Sequence, residues 1–436
     1  MHFVRAKRIV ISTVALCFAL APLASARQGA VTIDLKDALR RARDNSQQLQ
    51  SAAIGVEIAG EDRTQARSAL LPSLNYFNQY IYTQGNGAES GIFVGNDGVH
   101  VYSSQAQLHQ ELFSPERLME YRRTVAAQSL AAARRDIVER GLVATVAQGY
   151  YEAVTAQRRS ANAQKALEEA RRFVDVTTKL EQGGEVAHSD TLKAQLVLQQ
   201  RLRDVQETRL AGERAKIALS VLLFPDYRLD FNLVDDLDTI GSLPAYPEIE
   251  SRAREKNPEL RAAEESVHQE EYGVKIAKAG YLPSLNFDYF FGINANHFAA
   301  HDPDGVNRLG SVAQATLNLP VWDWWTTRSK VRQADMRRRQ AQLDLELSRK
   351  LLTSTLHSLY LEAQTSLAQL DSLRQTVDAA MESLRLVNLR YEAGEVTVLE
   401  VVDAQSTLAE ARNAYDEGLS RYHLALAAIQ TLTGTI

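Results

Sequence analysis

The sequence is nearly free of cysteine. Its single one, Cys17, lies close to the N-terminus. The rest of the chain therefore has no thiol for a disulfide, a thiolate metal site or a nucleophile. Long apolar runs are also missing. The run from Ile9 to Ala21 falls short of the ~20 residues that a helix needs to cross a bilayer. Mean hydropathy is −0.27, which excludes a multi-span helical membrane protein. If the chain enters a bilayer, it does so as strands. Positive charge is the minority: 49 Lys and Arg stand against 54 Asp and Glu. An acidic balance disfavours non-specific binding to nucleic acid, and no nucleic-acid partner is expected.

Signatures of catalysis are lacking as well. There is no nucleophile elbow. Gly85, Gly87, Gly91, Gly95 and Gly98 make a glycine-rich loop without the lysine of a phosphate cradle. His297 and His301 are four apart but sit in a loop beside Pro303, and His188 near Asp190 has no further ligands, so no metal site is assigned. An enzyme, a cofactor and a bound metal are not expected.

Three basic residues, Arg5, Lys7 and Arg8, precede the apolar run, Pro22 ends it, and Ala24-Ser25-Ala26 offers a small-x-small cleavage site. Residues 1–26 thus read as a secretory signal peptide. Leu16 stands before Cys17 where a lipoprotein signal needs a small residue. Loss of three basic and no acidic residues from a net −5 leaves −8.

The remaining chain is one unit built twice. Leu71-Pro72-Ser73-Leu74-Asn75 returns as Leu282-Pro283-Ser284-Leu285-Asn286, 211 positions on. Ala42, Arg43 and Leu49 return as Ala253, Arg254 and Leu260 at the same offset. Gly184-Glu185-Val186 and Ala194-Gln195 return as Gly394-Glu395-Val396 and Ala404-Gln405 at offset 210. Repetition on this scale dictates the architecture. The repeats are assigned to 27–224 and 247–436, with a linker over 225–246 holding at most a short ordered patch.

Each half gives four segment types in the same order. A helix from about Asp34 to Leu70, and again from Pro247 to Tyr281, stops at Pro72 and Pro283. Two alternating segments follow, about 72–84 and 99–113, then 283–295 and 309–321. Leu285, Phe287, Tyr289, Phe291 and Ile293 alternate with Asn286, Asp288, Phe290, Gly292 and Asn294. Leu74, Tyr76, Tyr80 and Tyr82, then Tyr102, Ala106, Leu108 and Leu112, do the same in the first half. Period two marks strands with one apolar face, long enough to cross a bilayer when tilted.

Proline-free stretches from Pro115 to Gln182 and from Thr326 to Ala393 predict helices on the order of 100 Å long. The second carries a seam of alternating four- and three-residue steps: Leu352, Leu356, Leu359, Ala363, Ser366, Leu370, Leu373, Val377, Ala380, Leu384, Val387, Tyr391. Only Ser366 is polar, and the 3.5-residue period predicts coiled-coil packing. Return helices from about Ser189 to Leu223 and Val398 to Thr433 follow reversals at Gly183-Gly184 and Gly394.

The expected fold is mainly α with a small β part. Four strands cannot close a barrel, and open edges in hydrocarbon cost several kcal/mol per unpaired group. Several copies must therefore combine. Two copies would give eight strands, a barrel filled by side chains, and three would give twelve with room for a lumen. Trp322, Trp324 and Trp325, with Phe113 at the matching place in the first half, read as an interfacial aromatic belt against membrane lipid. The other reading open at this point is a periplasmic coiled-coil scaffold.

Arg390-Tyr391-Glu392-Ala393-Gly394, the following Val396 to Leu399, Asp403-Ala404-Gln405, and the Leu-Pro-Ser-Leu strand starts in both halves resemble the TolC-like outer membrane factor family. The similarity extends over the whole mature chain. It implies the exit duct of a tripartite efflux pump or type I secretion system: a homotrimer with a twelve-stranded barrel and a periplasmic tube of twelve helices. It also implies a periplasmic adaptor docked at the hairpin tips (Gly183, Gly184, Gly394, Val396) and an inner-membrane pump as energy source.

The same resemblance places a gate at the tips. Glu400 and Asp403, one helical turn apart, are expected to form carboxylate rings that attract cations. Asp190 is expected to approach Tyr391 on a neighbouring hairpin, and Arg390 to join that network or contact an adaptor. The first hairpin reads Leu180-Glu181-Gln182-Gly183-Gly184, without the Arg-Tyr pair, so the two docking grooves are expected to differ.

Overall fold

The computed structural model describes residues 31–82, 100–226, 231–295, 300, 301, 305 and 307–435. The leader, His297 and the glycine-rich loop lie outside these residues. In chain order the elements are β1 (Val31–Ile33), α1 (Leu35–Asn45), α2 (Gln47–Ser68), β2 (Ser73–Tyr82), β3 (His100–Phe113), α3 (Pro115–Gln182) and α4 (His188–Leu223). Then follow β4 (Phe231–Leu233), α5 (Tyr246–Lys256), α6 (Pro258–Ala279), β5 (Ser284–Ala295), β6 (Leu309–Asn318), α7 (Thr326–Glu392) and α8 (Val398–Thr433). Apart from the strands β1 and β4, the second series copies the first.

The opening helix of each half is broken in two, where a single helix is expected from the sequence. Ser46 and Asn257 take extended backbone with ψ of 110° and 120°. Each then caps the next helix: Ser46 Oγ accepts from Leu49 N at 3.2 Å and Asn257 Oδ1 from Leu260 N at 2.9 Å. Such side chains satisfy an orphan donor at a helix start, and Pro258 forbids its predecessor the helical region. The break has a consequence for assembly. Asn45 Nδ2 donates to Leu223 O at 2.9 Å, so α2 starts where α4 ends. Arg140 likewise reaches both Leu432 O and Lys256 O, joining the end of α8 to the start of α6. The α4–α2 and α8–α6 stacks thus run as interrupted rods beside the unbroken α3 and α7.

The long helices match expectation closely. Ser114 caps α3, with Pro115 in the first turn. All twelve positions of the α7 seam are buried or half-buried, and the seam packs on α8. Ser366, its one polar member, has a buried hydroxyl with no partner among the described residues. Among the described residues no helix is long and apolar enough to cross a membrane.

The four main strands form an antiparallel sheet in the order β2-β3-β5-β6. Its register puts Tyr76 opposite Ala106, Ala106 opposite Phe291, and Tyr289 opposite Ala313. One face is therefore apolar and aromatic. The other face carries Asn75, Gln105, Gln107, His109, Asn286, Asp288 and Thr316. On that polar face His109 Nδ1 lies 2.7 Å from Asp288 Oδ1. Leu112 leaves the expected alternation: a bulge between Glu111 and Phe113 sets Phe113 opposite Leu285 instead.

Within the expected linker, the described residues 231–246 hold an ordered patch. β4 pairs in parallel with β1, Val31 to Phe231 and Ile33 to Leu233. Ile33 and Phe231 enter a core with Tyr150, Leu219 and Leu223. Side chains of the helices hold the rest. Tyr150 donates to Val234 O at 2.7 Å, His423 Nε2 to Leu237 O at 2.9 Å, and Tyr422 to Gly241 O. Arg158 binds Asp235 at 2.6 Å, Asp238 at 2.7 Å and Asp416 at 3.1 Å.

Candidate functional site

Two helix reversals form the end of the molecule remote from the sheet. Both use the same hydrogen-bond pattern. Gly184 N donates to Glu181 O and Glu185 N to Leu180 O, each at 2.9 Å; Gly394 N donates to Tyr391 O at 3.0 Å and Glu395 N to Arg390 O at 2.9 Å. This is the Schellman closure, which needs a left-handed residue after the cap. Gly184 (φ +78°) and Gly394 (φ +74°) supply it. Gly183 sits at φ −76° and has no such requirement.

The two tips share one core. Phe173 and Ala194 of the first hairpin are buried with Tyr391, Val398 and Val401 of the second, with Leu180, Val186 and Val396 half-buried around them. The Phe173 and Tyr391 rings are 5.2 Å apart. The Tyr391 hydroxyl donates to Thr177 Oγ1 at 3.5 Å. The carboxylate of Asp190 instead lies 3.7 Å from Lys193 Nζ. The expected Asp190–Tyr391 hydrogen bond is thus not formed within the chain, because the phenol points into the shared core toward α3. Burial raises the Tyr391 pKa above the ordinary phenol value, the Thr177 contact opposes it, and the charge of Asp190 adds the smallest push upward. Arg390 pairs with Glu395 across its own turn at 3.5 Å.

Glu400 and Asp403 are both exposed. Glu400 has a local duty, accepting from Thr397 N at 3.3 Å at the start of α8. Asp403 stands one turn further along the same exposed side. Above the tip core, a groove of about 550 Å³ opens between α3, α7 and α8. Phe173, Leu384, Tyr391 and Leu408 floor it, and Arg172, Asp175, Lys179 and Arg385 rim it. Arg412 and Glu169, mostly buried, pair at 3.2 Å along one wall.

At the other end, Trp322, Trp324 and Trp325 are 66%, 81% and 62% exposed, and Phe113 is 50% exposed. Trp322 packs edge-on to Trp324, ring centres 5.7 Å apart.

The family described as outer membrane efflux protein matches residues 38–223 and, a second time, 250–435. The chain belongs to that family. The double match falls on the two structural repeats. As a member it is an outer membrane channel protein with a long periplasmic extension, not an enzyme. Over 435 residues it is 25% identical to the outer membrane protein TolC of Salmonella enteritidis, covering 92% of this chain and 82% of that one. It is 23% identical over 430 residues to the alkaline protease secretion protein AprF of Pseudomonas aeruginosa, covering 94% and 86%. Among solved structures, the outer membrane protein VceC of Vibrio cholerae superposes with a TM-score of 0.81 at 16% identity, over 92% of this chain and 96% of that one. At that identity the likeness speaks for the fold.

The structure places the expected glycines at the two reversals, Tyr391 in the core the tips share, and the tryptophans at the surface beside β6. Sequence reasoning missed Thr177 and Phe173, the partners of Tyr391. These lie more than two hundred residues away, on a helix whose register against α7 no local pattern reveals.

Proposed function

We propose that three copies of this chain form a continuous export duct through the outer membrane, closed at rest by the hairpin tips. One observation supports this above others: the sheet is open at both edges while its apolar face is bare. Leu74, Tyr76 and Tyr80 on β2, and Leu317 on β6, are more than half exposed. A chain that must bury this face in lipid cannot leave β2 and β6 unpaired.

The strand directions allow closure. β2 and β5 run one way, β3 and β6 the other. β6 of one copy therefore meets β2 of the next antiparallel, continuing the existing pattern around a ring. Such head-to-tail contacts close when the rotation permits. The helices repeat the logic. α2 has no buried residue, and Ile54 and Ile58 on it, Leu196 and Leu210 on α4, and Leu343, Leu347 and Leu351 on α7 are all exposed. These two flanks are complementary apolar edges for a neighbour. Twelve strands give a barrel with a lumen, whereas eight are filled by side chains.

In this assembly the polar sheet face lines the passage. Glu400 and Asp403 form acidic rings near the periplasmic mouth, and Tyr391, Arg390 and Asp190 govern how the tips part. A periplasmic adaptor docks at the turns around Gly183, Gly184, Gly394 and Val396 and along the groove above them. An inner-membrane pump supplies the energy. The sheet's bare apolar face gives the scaffold reading no support. Single-channel recording in planar bilayers tests the proposal. The protein should give discrete, cation-preferring openings, and Glu400→Ala with Asp403→Ala should abolish the preference. A protein that gives no openings in any lipid would overturn it.

A further inference from the structure

The two sheet-to-helix junctions of the repeat are chemically unlike. In the first, Pro115 and Glu116 open α3. Arg117 pairs with Glu111 at 3.5 Å and Arg123 with Glu120 at 3.4 Å. Cations there are neutralised and an acid faces the positive helix start, as the macrodipole favours. In the second, α7 has no acid in its first turn. Arg328, Lys330 and Arg332 are exposed, and no acid follows until Asp335, which is taken by Arg338 at 2.7 Å. Asp323 Oδ2 accepts from Thr327 N at 2.7 Å, and the charge of Lys330 acts on the same carboxylate. Arg328 and Arg332, four residues apart on one side of the helix, have no acid paired to them among the described residues and work against the macrodipole. Their placement asks for an anion from outside the chain.

The indoles point to which anion. Trp324 and Trp325 take left-handed backbone, φ +52° and +69°, a conformation costly for aromatic side chains. It holds three large rings together on the surface. The Arg328 guanidinium lies 5.4 Å from the centre of the Trp325 ring, so cation and indole form one unit with the guanidinium's donors free among the described residues. Leu319 and Val321, both exposed, lead from the apolar face of β6 straight into this cluster. The patch is thus continuous with the surface assigned to lipid. Indole rings favour the head-group depth of a bilayer, and arginine binds phosphate through a two-pronged donor set.

Resting on the outer membrane placement above, we infer that Trp322, Trp324, Trp325, Arg328 and Arg332 form a binding site for the phosphate head group of an anionic glycerophospholipid in the periplasm-facing leaflet. The site occurs once per chain, on the second repeat only. A trimer would hold three, alternating with neutral junctions, and each would fix the depth and rotation of the helical tube beneath the membrane.

The protein's three tryptophans are all in this cluster, so intrinsic fluorescence reports on it alone. Full-length mature protein is reconstituted into phosphatidylcholine vesicles containing a minor fraction of either brominated phosphatidylglycerol or brominated phosphatidylcholine. Quenching by the anionic lipid should exceed quenching by the neutral one at least about twofold, given ~1 kcal/mol per basic residue near a charged surface. Arg328→Gln with Arg332→Gln should bring the ratio to one while insertion and thermal stability persist. Equal quenching by both lipids in the unaltered protein would leave an ordinary aromatic girdle and overturn the inference. Flotation with vesicles but no quenching would also overturn it, placing the indoles against protein or water. Failure to float at all would bring down the outer membrane placement itself, and the site with it.

Discussion

Arg158 Nη1 lies 3.1 Å from Asp416 Oδ1, so a guanidinium on the first repeat's long helix is bound to a carboxylate on the second repeat's return helix. The other oxygen of Asp416 accepts from Asn162 Nδ2 at 2.8 Å. Arg158 also holds Asp235 and Asp238, which clamps segment 225–246 against both repeats. Its hydrogen bonds to these acids raise its pKa against the opposing effect of burial, so it stays charged throughout the accessible range. Arg158 and Asp416 are only 16% and 11% exposed. Removing Arg158 strands a poorly solvated carboxylate. Arg158→Ala should cost on the order of 3 kcal/mol, lower the melting temperature, and open residues 225–246 to protease. Arg158→Lys should recover little, since an ammonium cannot span three carboxylates at once.

The tip turns separate two kinds of glycine. Gly184→Ala and Gly394→Ala place a side chain at positive φ and should each destabilise the turn by about 1 kcal/mol. Gly183→Ala should be close to neutral, since its φ is −76° and a Cβ there would find its nearest neighbour, Leu180 O, at 3.5 Å. Amide hydrogen exchange at residues 183–186 and 394–397 checks this, with faster exchange only in the first two variants.

Tyr391 is held by packing more than by its hydroxyl. The 3.5 Å contact to Thr177 is at the limit of a hydrogen bond. Tyr391→Phe should therefore change stability by less than about 1 kcal/mol and leave the resting conductance low. Tyr391→Ala removes a side chain that is 3% exposed and should cost about 3–5 kcal/mol locally. The tips should loosen and resting conductance rise in bilayer recordings. If the Phe variant leaks as much as the Ala variant, the hydroxyl rather than the ring holds the mouth.

Alkali should act through the central core. Burial, and after it the charge of Asp236, push the Tyr151 pKa from 10.0 up to about 12. Tyr150 is raised in the same direction by burial and neighbouring acids. An unfolded phenol ionises first, so the stabilisation is whole below pH 10 and is lost as pH climbs from there to about 12. Tyrosinate absorbance for these residues should lag the exposed tyrosines and rise together with loss of helical circular dichroism. Tyr151→Phe should move that loss to higher pH.

Much of this architecture is legible in the chain because its elements are long and periodic. The bounds of α3 and α8 follow from where proline and glycine stand, and the α7 seam from Leu352 to Tyr391 repeats often enough to fix its buried face. The breaks at Ser46 and Asn257 were visible only as single capping residues inside helix-forming composition, although Asn257-Pro258 is a stop signal in itself. The pairing of β1 with β4 joins three-residue strands two hundred positions apart, too short for alternation to show. Arg158 looks like any solvated arginine until the fold brings Asp235, Asp238 and Asp416 to it. Tyr391 shows the converse: the resemblance singles it out, but its contact with Thr177 of α3 depends on packing that no local pattern carries.

Ring closure between copies is tested most directly by crosslinking the two sheet edges. The chain's single cysteine is Cys17, and Cys17→Ser gives a clean background. Asn78→Cys at mid-β2 and Ala313→Cys at mid-β6, joined by a short bis-maleimide in isolated outer membranes, should give covalent dimers and trimers and nothing larger, because the third link closes the ring. Neither single variant should crosslink. A ladder that continues past three chains, or a product that stays monomeric, would contradict the account.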